Sequence, residues 1–319
     1  MATLTLAICA RNAQHIIGAC LESVVTQTVQ PQEVIVSLDS LDDPTVEVAK
    51  QFGARVIASN VTGLYEARNA VLHTCSTDYL AFTDADCELV PEWVATAKRV
   101  LDERPRVAAV TGRHPPVGKR NLAAWLHHMW YVVETAHTGP IGHVIGGNSV
   151  FRTQALRDVG GWLNLPGHSA AEDMYISEAL RRAGWEIWFQ EELAARHNYE
   201  TRLSGLWRKS VMMGRDIVVM MRVSGFQGGL WGFTMRIPIA AANALTGTIL
   251  GVLDARLWAA VLAAPLLASF AYFLSRFKTL RATFPRWLAR WVLIWPYSWG
   301  ILQGLASTLP PRLSARTQE

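Results

Sequence analysis

Apolar positions fall into short runs through the first two hundred residues and into long ones near the C-terminus, and this change of rhythm divides the chain. The runs at 3–10, 33–38, 55–58, 79–82 and 107–111 are bounded by polar or Gly/Pro turns. That is the pattern of buried strands. Between them, 16–25, 45–52, 63–75 and 91–103 repeat apolar side chains every three or four positions, as Ile16, Ile17, Cys20, Leu21, Val24 and Val25 do. These predict helices. Strand and helix alternating at this spacing imply right-handed βαβ units and a parallel sheet of Rossmann type. A helical pattern over 121–136, a strand at 150–152, a helix opening at Glu172-Asp173 and a strand at 185–190 continue the α/β series.

After about residue 220 the rhythm lengthens. Residues 237–253 and 257–275 are near-continuous apolar runs parted only by Asp254-Ala255-Arg256, each about the ~17–25 residues that a bilayer crossing takes. Arg276, Lys278, Arg281, Arg286 and Arg290 follow, and cations in that place put the link on the cytosolic side. Trp287, Trp291, Trp295 and Trp299 recur every fourth residue around Pro296, predicting an interfacial helix or a third span. The expected organisation is a catalytic domain over 1–222 and a membrane region over 223–319 with two or three transmembrane or interfacial helices. A hydrophobic content of 50% agrees with it. The expected location is the inner (plasma) membrane, with the catalytic domain on its cytosolic face. A net charge of +4 is too small to argue for nucleic acid. Cys9, Cys20, Cys75 and Cys87 form no Cys-x-x-Cys pair and read as packing residues in a reducing compartment. The first residues enter a strand pattern with no basic leader, so no cleavable signal peptide is expected.

Chemistry concentrates where the run at 79–82 ends in Asp84-Ala85-Asp86. In open α/β sheets the ligand crevice lies beyond the carboxyl ends of the strands, so these acids are placed to hold a cation. Mg²⁺ takes one or two carboxylates and completes its shell with water and phosphate oxygens. Glu172-Asp173 opens a helix, a place where the helix dipole alone favours acids. His127 and His128 are adjacent and face different sides of a helix, which suits packing or a substrate lining better than a metal site.

The order of these landmarks resembles the family 2 glycosyltransferases with the GT-A fold, over residues 4–215. The resemblance rests on the strand before Arg11-Asn12, Asp39, Gly63 with Ala67-Arg68-Asn69, and Thr83-Asp84-Ala85-Asp86. It continues in Gly147-Asn148 to Phe151, Val159-Gly160-Gly161-Trp162, Ala171-Glu172-Asp173 and Arg182-Ala183-Gly184. It implies an inverting, hexosyltransferase-type enzyme that uses a nucleotide-diphosphate sugar, with UDP ahead of GDP, and Mg²⁺ or Mn²⁺. Ala10, Arg11, Asp39, Arg68, Asp84 and Ala85 would bind the donor, Asp86 and His197 the metal, and Gly147 and Asn148 would line the sugar or acceptor. Asp173 would be the catalytic base, with Glu172 orienting it or the acceptor. Leu38 stands where relatives often carry a second Asp. The Gln-x-x-Arg-Trp pentad of processive synthases is replaced by Leu206-Trp207-Arg208-Lys209-Ser210, which argues against a long-chain polymerase and leaves Arg208 as a candidate pyrophosphate contact. The expected acceptor is a polyprenyl-linked saccharide or lipid in cell-envelope or exopolysaccharide assembly. A polyprenyl-phosphate sugar synthase or short-chain polysaccharide synthase is the alternative, and a non-catalytic membrane scaffold is the alternative of another class.

Overall fold

The computed structural model describes residues 2–131, 137–225 and 278–307, with positions 267, 269–271, 274 and 275. They fall into two compact units. Of the described residues, the first takes those up to 118 and from 137 to 199, the second those from 119 to 131 and from 200 to 307.

The first unit holds strands β1 (Leu4–Cys9), β2 (Glu33–Leu38), β3 (Arg55–Ala58), β4 (Tyr79–Asp84), β5 (Cys87–Leu89), β6 (Val107–Gly112), β7 (Pro116–Val117), β8 (Gly139–Pro140), β9 (Asn148–Arg152), β10 (Glu186–Gln190) and β11 (Ala195–Asn198). Its helices are α1 (Ile17–Val25), α2 (Thr45–Gln51), α3 (Leu64–Thr74), α4 (Trp93–Glu103), α6 (Thr153–Asp158) and α7 (Glu172–Arg182); α5 (Leu122–Tyr131) lies in the second unit. Eight strands form the main sheet in the order β3-β2-β1-β4-β9-β6-β10-β8, and β5-β11-β7 form a small one. The half from β3 to β4 is parallel, as the alternation of strand and helix implies. β9 runs antiparallel to both β4 and β6. It enters from a loop rather than from a crossover helix, so the βαβ rule does not govern it.

Two features of this sheet position the site. The order turns at β1, which has β2 on one side and β4 on the other, and such a switch point opens a crevice beyond the strands' carboxyl ends. Cys9, the last residue of β1, stands in register with Asp84, the last of β4. The short apolar runs fill the interior: Leu6, Ile8, Ile35, Val36, Leu80, Val110 and Phe151 are fully buried, each side chain contributing about 1.5–3 kcal/mol. Gly63 begins α3 at φ 139°, and a methyl group there would lie 2.6 Å from Glu66 Oε2, so glycine suits both backbone and space. Around it the segment 167–168 is tied to α3, with Leu64 N–H donating to the His168 carbonyl at 3.0 Å and Gly167 N–H to that of Thr62 at 2.6 Å.

The second unit pairs α5 with α8 (Leu203–Ser224) and α9 (Leu280–Ala306). The boundary expected after residue 222 therefore falls inside this unit. The apolar shift marks where hydrophobic runs lengthen, whereas α8 already packs on α9. Three glycines make that contact close: a methyl group on Gly214, Gly300 or Gly304 would strike the backbone of Tyr297, Val211 or Arg215. Arg222 caps α9 by donating to the carbonyls of Gly304 (2.7 Å) and Ser307 (3.0 Å), orphan acceptors at any helix end. His127 is buried here and its Nδ1 accepts from Glu200 N–H at 3.0 Å, a packing role. Among the described residues no helix is long and apolar enough to cross a membrane. The run at 237–253 lies outside the described residues, as does most of 257–275. In α9, with Pro285 and Pro296 inside it, Trp295 and Trp299 are exposed while Trp287 and Trp291 donate to Ser269 Oγ at 2.9 and 3.1 Å.

Candidate active site

The carboxyl end of β4 supplies Asp84 itself, and the turn after it supplies Ala85 and Asp86 before β5 begins at Cys87. Pairing of β11 with β5 sets His197 opposite Cys87. This small ladder brings a residue from far down the chain to the acidic turn: His197 Nε2 lies 3.3 Å from Asp86 Oδ1, and Asn198 N–H donates to the Asp86 carbonyl at 2.8 Å. The His197 ring is held between His114, stacked at 5.4 Å, and Tyr199, edge-on at 4.4 Å. Tyr199 in turn donates its hydroxyl to the His114 carbonyl at 2.9 Å.

One ligand atom from each of Asp84, Asp86, Cys87 and His197 lies within 4.8 Å of the others. Two carboxylates and an imidazole are donors that Mg²⁺ or Mn²⁺ accepts. Cys87 is a poor fourth ligand, since burial, with Asp84 and Asp86 beside it, pushes its thiol well above the usual value, and only a thiolate binds metal well. The donor set therefore fits the hard cation expected from the Asp-x-Asp turn.

A further acidic pair, Glu172-Asp173, stands across two glycines from Asp84. A methyl group on Gly147 would collide with the Asp84 carboxylate, and one on Gly146 would lie 2.6 Å from Glu172 Oε1 and 3.7 Å from Asp173 Cβ. The Gly146-Gly147 pair thus separates Asp84 from the start of α7 by two residues without side chains. Asp173 is half-buried, with its Oδ1 accepting from Met174 N–H at 2.8 Å. Ala171, just before α7, is buried in the left-handed region at φ 65°, which costs a non-glycine residue roughly 1–2 kcal/mol and fixes the entry angle of Glu172-Asp173. Glu172 is buried, and its carboxyl is pushed up by desolvation and by Asp173, against the pull of Arg68. Replacing Gly147 with alanine is expected to swing Asp84 aside, because a short side chain yields more readily than backbone. Such a variant should lose about 10²-fold in turnover while its melting temperature stays near that of wild type.

At the ends of β1 and β2, Arg11 Nη1 lies 3.6 Å from Asp39 Oδ2, with Arg11 exposed and Asp39 partly so. Ala10 N–H donates to the Ser37 carbonyl at 2.9 Å. These three expected donor contacts are gathered on one edge of the crevice. The neighbouring Asn12 adopts φ 51°, its N–H donating to Asp43 at 2.7 Å. Asp43, although partial burial works against it, is held below its usual range by hydrogen bonds from Asn12 and Thr45.

Two expected contacts, Asn148 and Arg68, are placed differently. Asn148 is fully buried, and its side chain is spent: Oδ1 accepts from Trp93 Nε1 at 2.7 Å, while Nδ2 donates to the carbonyls of Arg113 (3.0 Å) and Leu193 (2.9 Å). It joins α4, the end of β6 and the turn before β11, so it has no free group to offer a sugar. Substituting alanine leaves three partners without their hydrogen bonds, two of them buried, at about 1–3 kcal/mol for each buried one. A fall in melting temperature of roughly 10 °C is the expected reading from calorimetry. Arg68, expected at the phosphates, is 1% exposed. The spacing Tyr65, Arg68, Val71, Leu72 puts it on the buried stripe of α3. Arg208 belongs to α8 in the second unit, where it lines an open groove with Trp207, Val211, Met212, Arg215 and Trp299. The residues that sequence reasoning missed are His114, Tyr199 and Gly146. Only Gly146, next to Gly147, carried a local signal.

Residues 5–160 match the family model described as Glycosyl transferase family 2. Over 90 residues the chain is 38% identical to the 4,4'-diaponeurosporenoate glycosyltransferase of Staphylococcus aureus (strain USA300), covering 26% of this chain and 24% of that protein. Over 111 residues it is 28% identical to the glycosyltransferase GlyA of Streptococcus pneumoniae, covering 33% and 16%. The chain spans about a quarter or less of the length of these curated relatives. Among solved structures, the mannosyltransferase PcManGT of Pyrobaculum calidifontis, in complex with GDP-Man and Mn²⁺, superposes with a TM-score of 0.62 at 16% identity, over 96% of this chain and 87% of that one. The fold is accordingly a mixed α/β, GT-A-like one, and residues 5–160 are similar to the Glycosyl transferase family 2 model.

Proposed function

We propose that this chain is an inverting glycosyltransferase that moves a sugar from a nucleotide-diphosphate donor, UDP-linked by preference, to a hydroxyl of a membrane-held, polyprenyl-linked or lipid acceptor. The observation that carries this reading is the convergence of Asp84, Asp86 and His197 with Asp173 across the Gly146-Gly147 pair, at the switch point of a family 2 domain. Inversion requires attack on the anomeric carbon from the face opposite the leaving group. Asp173 takes the proton of the acceptor hydroxyl as the new carbon–oxygen bond forms and the bond from the anomeric carbon to the diphosphate oxygen breaks. Ala10, Arg11 and Asp39 hold the nucleoside end of the donor. Asp84, Asp86 and His197 are the residues that would hold Mg²⁺ or Mn²⁺, which when bound supplies a Lewis acid for the departing diphosphate. PcManGT, whose complex contains GDP-Man and Mn²⁺, supports the pairing of a sugar nucleotide with a divalent cation on this fold.

The membrane part of the proposal rests on the apolar runs at 237–253 and 257–275, with the cations that follow them. These imply attachment on the cytosolic face and an acceptor that stays in the bilayer. The test is a panel of labelled nucleotide sugars offered to the detergent-solubilised full chain with Mn²⁺ and membrane lipid extract. One donor is expected to give labelled lipid and free nucleoside diphosphate. Label passing only to water-soluble acceptors would overturn the membrane acceptor, and no release from any donor would overturn the transferase itself.

A further inference from the structure

Arg68 is the largest buried cation of the first unit, and the sugar-transfer scheme as set out gives it nothing to do. Its guanidinium carbon sits 4.9 Å from the centre of the Phe82 ring and 5.6 Å from that of Trp162. Those two rings meet edge-on at 5.3 Å and pack with Phe151. One nitrogen, Nη2, donates to the Gly146 carbonyl at 3.1 Å and lies 3.2 Å from Glu172 Oε1. Among the described residues Nε and Nη1 are buried with no hydrogen-bond partner. The next residue ties the same corner: Asn69 Nδ2 donates to the Trp162 carbonyl and its Oδ1 accepts Trp162 N–H, both at 2.9 Å. Trp162, one wall of the guanidinium's cage, is thus locked to α3 by the neighbour of the residue it encloses.

The two groups that share Nη2 are the two whose places matter most. Gly146 precedes Gly147, against which the Asp84 carboxylate rests; Glu172 precedes Asp173 on α7. A buried ion pair is weak support for stability, because desolvation offsets most of the attraction and an apolar pair of like volume is often as stable. An arginine kept in such a place, two of its nitrogens unpaired, is poorly explained by stability alone. One nitrogen held between the Gly146 carbonyl and the Glu172 carboxylate, on a planar guanidinium caged by Phe82 and Trp162, accounts for it, and a lysine ammonium does not fill that cage.

We infer that Arg68 is a positioning residue: from inside the fold it fixes, through Glu172 and the Gly146 carbonyl, where Asp173 and Asp84 stand, and it touches neither donor nor acceptor. The inference rests on the reading of Asp173 as the base of the transfer reaction. Displacing a reacting carboxylate by an ångström costs about 10²-fold in rate, and that is the size of effect expected.

The test is the double variant Arg68→Met/Glu172→Met in the full chain, which removes both charges at similar volume. Its melting temperature is read by calorimetry, its affinity for UDP with Mn²⁺ by titration calorimetry, and its kcat and donor KM in the transfer assay. The expected result is a folded protein with nucleotide affinity within about threefold of wild type and kcat down about 10²-fold. If kcat is unchanged, the pair is only structural and the inference is overturned. If nucleotide affinity falls tenfold or more at unchanged kcat, Arg68 is a phosphate contact after all and the inference is equally overturned. Should the double variant not fold, Arg68→Lys is read by the same split, with loss of kcat at retained affinity expected. Asp173→Asn assayed alongside separates the two failures: if it keeps its kcat, the base reading is wrong whatever Arg68 does. If it is inactive while the Arg68 variants turn over normally, only the positioning role is wrong.

Discussion

Asp173→Asn is expected to lower kcat by roughly 10²–10⁴-fold, the contribution of a positioned general base, while donor affinity stays within a few-fold of wild type. The amide keeps the size of the carboxylate and keeps an oxygen for the Met174 N–H that Asp173 Oδ1 now accepts, so the start of α7 should hold its shape. What is lost is the capacity to take a proton. An interaction made only as the bond forms lowers kcat and leaves binding of the donor alone. Initial rates over a range of donor concentrations, with titration of the unreacted nucleotide, check it. Loss of affinity in step with loss of rate would mean that Asp173 serves donor binding instead.

Asp86→Ala should have the opposite signature. Asp86 is one of two carboxylates in the cluster and orders the third ligand, His197 Nε2, at 3.3 Å. Removing it takes away a ligand and loosens its neighbour at once. Mn²⁺ affinity and donor affinity should fall together, and turnover should drop about 10³-fold, equivalent to about 4 kcal/mol of barrier. Chelation of the wild type with EDTA should give the same loss, reversed by added Mn²⁺. Titration of Mn²⁺ into both proteins with UDP present measures the first of these effects. Equal Mn²⁺ affinity in wild type and variant would remove Asp86 from the metal site.

Much of the first unit was legible in the sequence, for a physical reason. Strands β1, β2 and β4 are largely buried and read as short apolar runs, and the helices between them keep a clear three-to-four spacing. Asp84 and Asp86 announce themselves because two acids at the end of an apolar run have no packing role. Contacts made across the chain announce nothing. His197 was named beside Asp86 only through the family resemblance: the two meet because β11 pairs with β5, and a four-residue strand carries no sign of its partner. Arg68 and Asn148 misled in the same way: polar side chains read as surface or ligand contacts, whereas both are buried, and Asn148 spends its hydrogen bonds inside the fold. For Arg68 the corrective signal was present, since its place between Tyr65 and Leu72 on the α3 stripe is an inside position. The close approach of α8 and α9 through Gly214, Gly300 and Gly304 was not legible, because a glycine in an apolar helix looks alike whether it faces lipid or another backbone.

The most direct test of the convergence of these groups is an anomalous-difference map from crystals of the full chain grown with Mn²⁺ and UDP. The account predicts one manganese peak bounded by Asp84, Asp86 and His197, with the diphosphate upon it and the Asp173 carboxylate facing the same cleft across Gly146-Gly147. A peak held by other residues, or an Asp173 turned to a surface that the nucleotide does not reach, would contradict it.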